Sequence, residues 1–180
     1  MNDLNTYTPT ESPSDHLNLW SPELEKATNY QINIEMLNFA TYQKIAAIFN
    51  HVSVGYPKLS KFFTGEADEE IKHARMFIKY QNMRGGKVEL TDIGSINVDE
   101  LYKSSTPVLD SYKIALQLEK MTYVKLLELH ALCDNDPQYA DFIEEVLEEQ
   151  LKTQQELNFK VQQLKRANSS VAEFIHATEN

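Results

Sequence analysis

Apolar residues recur every three or four positions through four long segments of the chain, which is the spacing of amphipathic helices. A helix-start signal lies at the head of each segment, where a residue that can cap a helix precedes a proline that suits the first turn. The strong signals are Ser21-Pro22, Thr106-Pro107 and Asp136-Pro137, and Tyr56-Pro57 is a weaker fourth. With only 5 glycines and 6 prolines, the chain lacks the tight turns of a β-sandwich or barrel. The pattern predicts an all-α protein.

These signals define the helix boundaries of an antiparallel bundle. The predicted helices cover about residues 22–50, 57–84, 107–134 and 137–166, followed by a short fifth helix near 170–177. The link from Gly85 to Thr106 is long: it has about 22 residues, which can reach about 70 Å when fully extended. This length predicts one long crossover that lets the third helix start at the same end as the second. We expect residues 1–20 to be a flexible tail and residues 21–180 to form the bundle.

The composition limits the classes of partner. Acidic residues outnumber basic ones by 27 to 17, and the net charge is −10. A surface of this charge suits metal cations or basic partners, and it lacks the basic footprint of nucleic-acid or membrane binding. No segment is apolar for long enough to span a bilayer. A single cysteine, Cys133, allows no internal disulfide, which favours a reducing compartment. We therefore expect a cytoplasmic protein with neither nucleic-acid nor membrane partners.

Polar residues fall on the apolar face of each long helix, near its middle, when successive residues are placed about 100° apart. They are Glu35 on the first helix, Glu70 and His73 on the second, Glu119 on the third and Gln150 on the fourth. Burial of one unpaired carboxylate costs several kcal/mol, so three that converge in one core need a shared cation. The Glu-x-x-His spacing puts both side chains on one face, as in di-iron carboxylate bundles. Such oxygen-rich ligands with one imidazole suit iron, manganese or zinc.

Each of these residues also has a simpler interpretation. One glutamate on an apolar face can reflect a mispredicted helix phase or a buried ion pair, and His73 can be a core histidine with satisfied hydrogen bonds. The coincidence on all four helices favours a metal site. Tyr42, two turns after Glu35, is either a plain core aromatic residue or a redox-active neighbour of the metals, and both readings stay open.

Several segments carry a family pattern over about residues 22–177. They are INIEMLNFATY, DEEIKHA, QNMRGGKVEL, ALQLEKMTYVKLLELH, VLEEQL and SSVAEFIHA. In this order they resemble a ferritin of the catalytic, heavy-chain type. The resemblance implies a ferritin-like four-helix bundle in a homo-oligomeric shell, a 24-mer of octahedral symmetry. It also implies an iron-storage ferroxidase without haem, which oxidises Fe(II) with dioxygen or hydrogen peroxide and stores it as a ferric oxyhydroxide mineral.

The same resemblance assigns the ligands of two irons per subunit. One iron would be bound by Glu35, Glu70 and His73. The second would be bound by Glu119 and by Glu70, which bridges both. Gln150 would act from the second site through its amide or an ordered water.

Residues around the site receive accessory roles from the resemblance. Tyr42 would lie beside the first iron, and Glu69 and Glu149 would transiently hold iron that passes between the site and the cavity of the shell. Three residues resemble the lining of a threefold uptake channel in animal ferritins: His130, Asp141 and Glu144. The chain is one residue shorter before Gln150 than those ferritins, so the alternative that these acids are merely solvated stays open.

Other functions fit the same bundle less well. A non-mineralising di-iron or manganese carboxylate oxidase is disfavoured by the fifth helix and by Thr122, which stands where a second Glu-x-x-His would need histidine. A structural shell subunit with zinc or no metal is disfavoured by the full ligand set. A DNA-binding mini-ferritin is disfavoured because all the candidate ligands lie within one bundle.

Overall fold

The computed structural model describes residues 20–167 and 169–179, and within them all regular structure is helical. The helices are α1 (Pro22–Asn50), α2 (Pro57–Met83), α3 (Pro107–His130), α4 (Pro137–Ala167) and α5 (Ser170–Glu179), with one 3₁₀ turn at Asp99–Tyr102. This confirms the predicted all-α bundle with a short fifth helix. None of the described helices is apolar over a stretch long enough to cross a bilayer. The predicted tail, apart from Trp20, lies outside the described residues.

The end of α3 is the one boundary that the sequence pattern misplaces by more than two residues. The pattern predicts a helix to about residue 134, but α3 ends at His130. Beyond it, the amide of Leu132 donates to Leu129 and that of Cys133 donates to His130, so each bond reaches back only three residues. Such bonds tighten the backbone into a turn and end the helix.

Two of the three predicted caps are present. The hydroxyl of Ser21 accepts a hydrogen bond from the amide of Leu24 at 3.1 Å, and the carboxylate of Asp136 accepts one from the amide of Tyr139 at 3.2 Å. Each side chain satisfies an amide that has no partner within its own helix. These caps therefore fix the starts of α1 and α4.

The predicted cap at Thr106 is wrong. Its hydroxyl contacts the carboxylate of Asp110 at 3.2 Å instead of an amide of α3. The start of α3 is capped from α5, where the two carboxylate oxygens of Glu173 accept from the amides of Val108 at 2.9 Å and Leu109 at 3.1 Å. Since Glu173 is 5% exposed, this charge-assisted cap is buried and ties α5 to the bundle.

The link between α2 and α3 crosses the bundle along α1, as predicted. The side chain of Asn29 accepts from the amide of Glu89 at 2.9 Å, and Thr41 accepts from the amide of Ile96 at 3.1 Å. Asn29 and Thr41 lie about 18 Å apart along α1, so the link is fixed at points more than three turns apart. It therefore delivers α3 to the end at which α2 begins.

The core consists of two apolar clusters with a polar layer between them. One cluster, which contains Tyr42, Phe63 and Tyr112, lies towards the start of α3, and the other, which contains Trp20 and Tyr139, lies towards its end. Each large apolar side chain that is fully buried contributes about 1.5–3 kcal/mol. The buried polar residues between the clusters are Glu35, Asn38, Glu70, Glu119, Thr122 and Gln150.

We expect Glu173→Ala to lower the free energy of unfolding by about 1–2 kcal/mol, because it removes the acceptor of two buried amides at the start of α3. Thermal denaturation measures this loss, and limited proteolysis reports whether α5 is released. Glu100→Ala, which removes an exposed carboxylate, is the matched control. Equal stability of the two variants would contradict the capping role.

Candidate metal centre

Three predicted ligands meet in the polar layer. Glu35 of α1 and Glu70 and His73 of α2 each offer a ligand atom, and these atoms all lie within 4.8 Å of one another. Glu35 is 0% and Glu70 is 3% exposed, while the side chain of His73 retains 13% exposure. The arrangement matches the size of a site in which a single cation is bound by two carboxylates and one imidazole.

Glu119 of α3 completes the carboxylate group from the opposite side of the bundle. It is 2% exposed and close enough to Glu70 for its charge to raise the pKa of that residue. The hydroxyl of Tyr42 donates a short hydrogen bond to the carboxylate of Glu119. The structure thus places the Tyr42 hydroxyl on the residue that the resemblance assigns to the second iron, and the position of Tyr42 beside the first iron stays a prediction.

Gln150 of α4 faces the same space. It is 2% exposed, and it lines a cavity of about 260 Å³ together with Glu70, His73 and Glu119. The five polar residues that the sequence pattern placed on apolar helix faces therefore all lie at this level of the bundle.

Several buried polar atoms of the centre have no hydrogen-bond partner among the described residues. They are Oε2 of Glu35, Nδ1 of His73 and Oε1 of Gln150. A buried polar atom without a partner costs free energy, and almost all such atoms in folded proteins are paired. These atoms are those that a bound cation or its waters would satisfy, so the donor set fits a metal.

A second set of polar side chains orients the ligands. Gln31 donates to Glu35 at 2.6 Å, and Asn38 donates to Thr122 at 2.9 Å and to Glu70 at 3.4 Å. Such contacts fix the carboxylates before a metal arrives. Sequence reasoning missed Gln31 and Asn38. The available signal was their position one turn before and one turn after Glu35 on the same buried face.

Two carboxylates of the centre, those of Glu70 and Glu119, resist ionisation while no cation is bound. Burial, followed by the charges of Glu35 and Glu119, raises the pKa of Glu70. Burial also raises the pKa of Glu119, although the hydrogen bond from Tyr42 opposes that shift. A like charge nearby and the loss of water both disfavour the ionised form. Metal binding therefore has to displace protons from this centre.

Two further acids extend the cavity away from the ligands. Glu66 and Glu156 line it beside Lys160. Burial and the charges of Glu119 and Glu156 raise the pKa of Glu66 to about 7, while Lys160 acts in the opposite direction. Sequence reasoning missed Glu66, because a glutamate one turn before Glu70 resembles an ordinary partly exposed residue.

Glu69 and Glu149 lie at the mouth of this cavity. Their side chains are 58% and 61% exposed, and a carboxylate oxygen of Glu149 lies 3.4 Å from Nε2 of His73. Glu149 thus contacts a ligand of the centre, while both carboxylates remain accessible to solvent. The transient iron-holding role stays a prediction.

The predicted channel residues lie apart from the cavity. The imidazole of His130 in α3 contacts the carboxylate of Glu144 in α4 at 3.0 Å, and Asp141 is exposed one turn earlier on α4. The structure thus brings His130 and Glu144 together. Their role in uptake stays a prediction.

The fold and the centre together define a carboxylate-rich metal-binding bundle, and comparison with known proteins gives the family. Residues 25–167 match the model of the ferritin-like domain. The chain is 41% identical over 160 residues to soma ferritin of Lymnaea stagnalis, which covers 87% of this chain and 90% of that protein. It is also 38% identical over 150 residues to a chloroplastic ferritin of Malus baccata var. xiaojinensis, which covers 82% of this chain and 60% of that protein.

A solved structure agrees with the sequence comparison. The crystal structure of ferritin from the green alga Ulva pertusa superposes with a TM-score of 0.84 at 35% identity, covering 89% of this chain and 84% of that one. The chain belongs to the ferritin family. The resemblance drawn from its motifs is therefore confirmed, and so, at the level of the family, is the expected iron-storage and ferroxidase function.

We expect Glu66→Gln to stabilise the metal-free protein more at pH 8 than at pH 5. The pKa of Glu66 rises from 4.5 to about 7 on folding, so its contribution to stability is fully present below 4.5 and lost as the pH rises through 7. Glutamine does not ionise, so the variant avoids this loss of stability at high pH. The gain in free energy of unfolding from Glu66→Gln should therefore be on the order of 2 kcal/mol larger at pH 8 than at pH 5.

Urea denaturation in the presence of a metal chelator, at one protein concentration, measures the free energy of unfolding at each pH. Glu145→Gln, which neutralises an exposed acid of α4, is the control. A Glu66→Gln effect of the same size at both pH values would contradict the assignment.

Proposed function

We propose that this chain binds Fe(II) as a pair inside its bundle, oxidises it with dioxygen or hydrogen peroxide, and stores the Fe(III) as a mineral inside a shell of 24 copies. The observation that carries the proposal is the convergence of three buried carboxylates and a histidine in one layer of a ferritin fold, where Glu70, His73 and Glu119 line one cavity. Membership of the ferritin family supports the storage role.

The ligand positions support two irons per chain. Glu35, Glu70 and His73 bind the first iron, and Glu119 binds the second together with the bridging Glu70. Gln150 offers its unpartnered amide oxygen on the side of the second iron. Anionic oxygen ligands stabilise Fe(III) more than Fe(II) because the ferric ion carries the higher charge, and they thereby favour oxidation.

Two of the ligands also exchange protons, and Tyr42 orients one of them. Paired Fe(II) gives two electrons to one dioxygen, which takes up two protons to form hydrogen peroxide. Burial raises the pKa values of Glu70 and Glu119, so each holds a proton more tightly than a free glutamate does, and iron binding favours its release. The hydrogen bond from Tyr42 holds Glu119 in place, so the second iron meets a carboxylate that is already oriented.

Iron reaches and leaves the centre through the cavity between α2 and α4. Glu69 and Glu149 at its mouth hold iron transiently, supported by their exposure and by the contact between Glu149 and His73. Uptake into the shell occurs where His130 and Glu144 meet beside Asp141. Acidic side chains at both points concentrate Fe(II) from solution.

Exposed apolar side chains support assembly. Leu90 of the crossover, Val171 and Phe174 of α5 are each more than half exposed, at 54%, 65% and 57%, and a subunit interface would remove this apolar surface from water. Cytoplasmic localisation rests on the unpaired thiol of Cys133. It stays a prediction beside plant relatives whose names place them in the chloroplast.

We expect Glu70→Ala to slow catalysed Fe(II) oxidation by at least about 100-fold, because loss of residues that merely orient ligands already costs about 10–100-fold. Aerobic addition of Fe(II) to the metal-free protein, followed by near-ultraviolet absorbance, measures the rate. Glu145→Ala is the control and should leave the rate unchanged. Equal rates in wild type and Glu70→Ala would overturn the proposed site.

Sedimentation of the product then separates storage from simple oxidation. An iron-filled particle is expected. Oxidation that stops at about two irons per chain, without a shell, would instead identify a non-mineralising di-iron oxidase.

Neutralisation of the uptake residues should separate iron uptake into the shell from metal binding at the centre. We expect Asp141→Asn combined with Glu144→Gln to slow iron loading of the shell severalfold, because both negative charges that attract the cation are lost. Equilibrium binding of Co(II) to the centre, followed by visible absorbance without oxygen, should be unchanged. Unaltered loading would place uptake elsewhere.

A further inference from the structure

A file of aromatic rings leads from the metal centre to α5. It begins at Tyr42, whose hydroxyl contacts Glu119. The ring centroid of Tyr42 lies 6.1 Å from that of Phe63, which in turn lies 5.8 Å from that of Tyr112. Rings at these separations are in direct contact. The file therefore joins the centre to a second tyrosine without a gap.

Tyr112 ends the file beside a histidine. Its hydroxyl lies 3.2 Å from Nε2 of His176 in α5, and the two rings meet edge to face with centroids 5.4 Å apart. Burial, followed by the charge of Glu66, raises the pKa of the Tyr112 hydroxyl. Burial, followed by the charge of Lys160, lowers the pKa of His176. At neutral pH the pair is thus a protonated phenol facing a neutral imidazole, which has one basic nitrogen.

A phenol placed in this way gives up an electron readily, because its proton moves to the neighbouring base as the electron leaves. Without a base, the same oxidation would create a cation in an apolar core, which is costly. Tyr112 is 2% exposed, so a radical formed there is shielded from solvent.

We propose that Tyr112 stores one oxidising equivalent from the metal centre, with His176 as its proton acceptor, when hydrogen peroxide meets a single Fe(II). The proposal rests on the ferroxidase function proposed above. It gives the chain a way to complete the reduction of peroxide when the second iron is missing.

The electrons and atoms balance with peroxide as the oxidant. Hydrogen peroxide takes one electron from Fe(II) and one from Tyr112, its O–O bond breaks, and two hydroxide ions form. The electron from Tyr112 passes through Phe63 and Tyr42 to the centre, and the phenolic proton passes to Nε2 of His176. The products are Fe(III), two hydroxide ions, a neutral tyrosyl radical and a protonated histidine. A second Fe(II) later returns the electron, and His176 returns the proton.

A second branch of aromatic rings leaves Phe63 and ends at Tyr56, which has no base hydrogen-bonded to its hydroxyl among the described residues. Phe49 stacks on Phe63 at 5.8 Å, and Tyr56 lies 6.2 Å from Phe49. No histidine or carboxylate among the described residues is hydrogen-bonded to the Tyr56 hydroxyl. Tyr56 lies two ring contacts beyond Phe63, whereas Tyr112 lies one, and it therefore provides a control tyrosine on a branch of the same cluster.

Electron paramagnetic resonance tests the proposal. Oxygen-free shells loaded with one Fe(II) per chain are mixed with an equal amount of hydrogen peroxide and frozen rapidly. We expect a tyrosyl radical in the wild type and in Tyr56→Phe, and a severalfold lower yield with an altered line shape in Tyr112→Phe. His176→Gln keeps a hydrogen-bond acceptor but no base, and we expect it to lower the yield severalfold as well.

Two further measurements distinguish a failure of this proposal from a failure of the ferroxidase function on which it rests. Sedimentation and Co(II) absorbance show that each variant keeps the shell and the centre. Spin trapping should detect more released hydroxyl radical from Tyr112→Phe than from Tyr56→Phe. A wild-type signal that survives Tyr112→Phe, or the absence of any tyrosyl radical in an active wild type, would overturn the relay and leave the ferroxidase function intact. Equal rates of Fe(II) oxidation in the wild type and in Glu70→Ala would instead overturn the ferroxidase function itself.

Discussion

The burial of three carboxylates in one layer governs the architecture of this bundle. Glu35, Glu70 and Glu119 come from three different helices and are each no more than 3% exposed. Their mutual repulsion is relieved only by protons or by cations, so the same residues that weaken the empty bundle create its affinity for metal. The apolar clusters on either side supply the stability that permits this arrangement.

Asymmetry between the helices shapes access to that layer. The carboxylates lie on α1, α2 and α3, whereas α4 contributes the neutral amide of Gln150. Gln31 and Asn38, both on α1, orient Glu35 and Glu70. The ligands oriented from α1 therefore lie on one side of the centre, and the cavity opens on the side of α4.

Local signals in the sequence were sufficient for the helices, because proline, capping residues and apolar spacing act within a few residues. The ligand residues could be found for the same reason, since a charge on an apolar helix face is visible in one segment at a time. The cap that Glu173 places on α3 could not be found, because it joins residues 65 positions apart. Glu66 escaped for a related reason, since its environment is created by α3 and α4 and its own helix shows only a partly exposed acid.

The crossover along α1 also has a dynamic consequence. Asn29 and Thr41 bind its amides on either side of Glu35, so the outer wall of the bundle is clamped at two levels, while α4 has no such strap among the described residues. The two contacts therefore hold α1 on both sides of the residue that presents one of the ligands, which limits local bending of that segment.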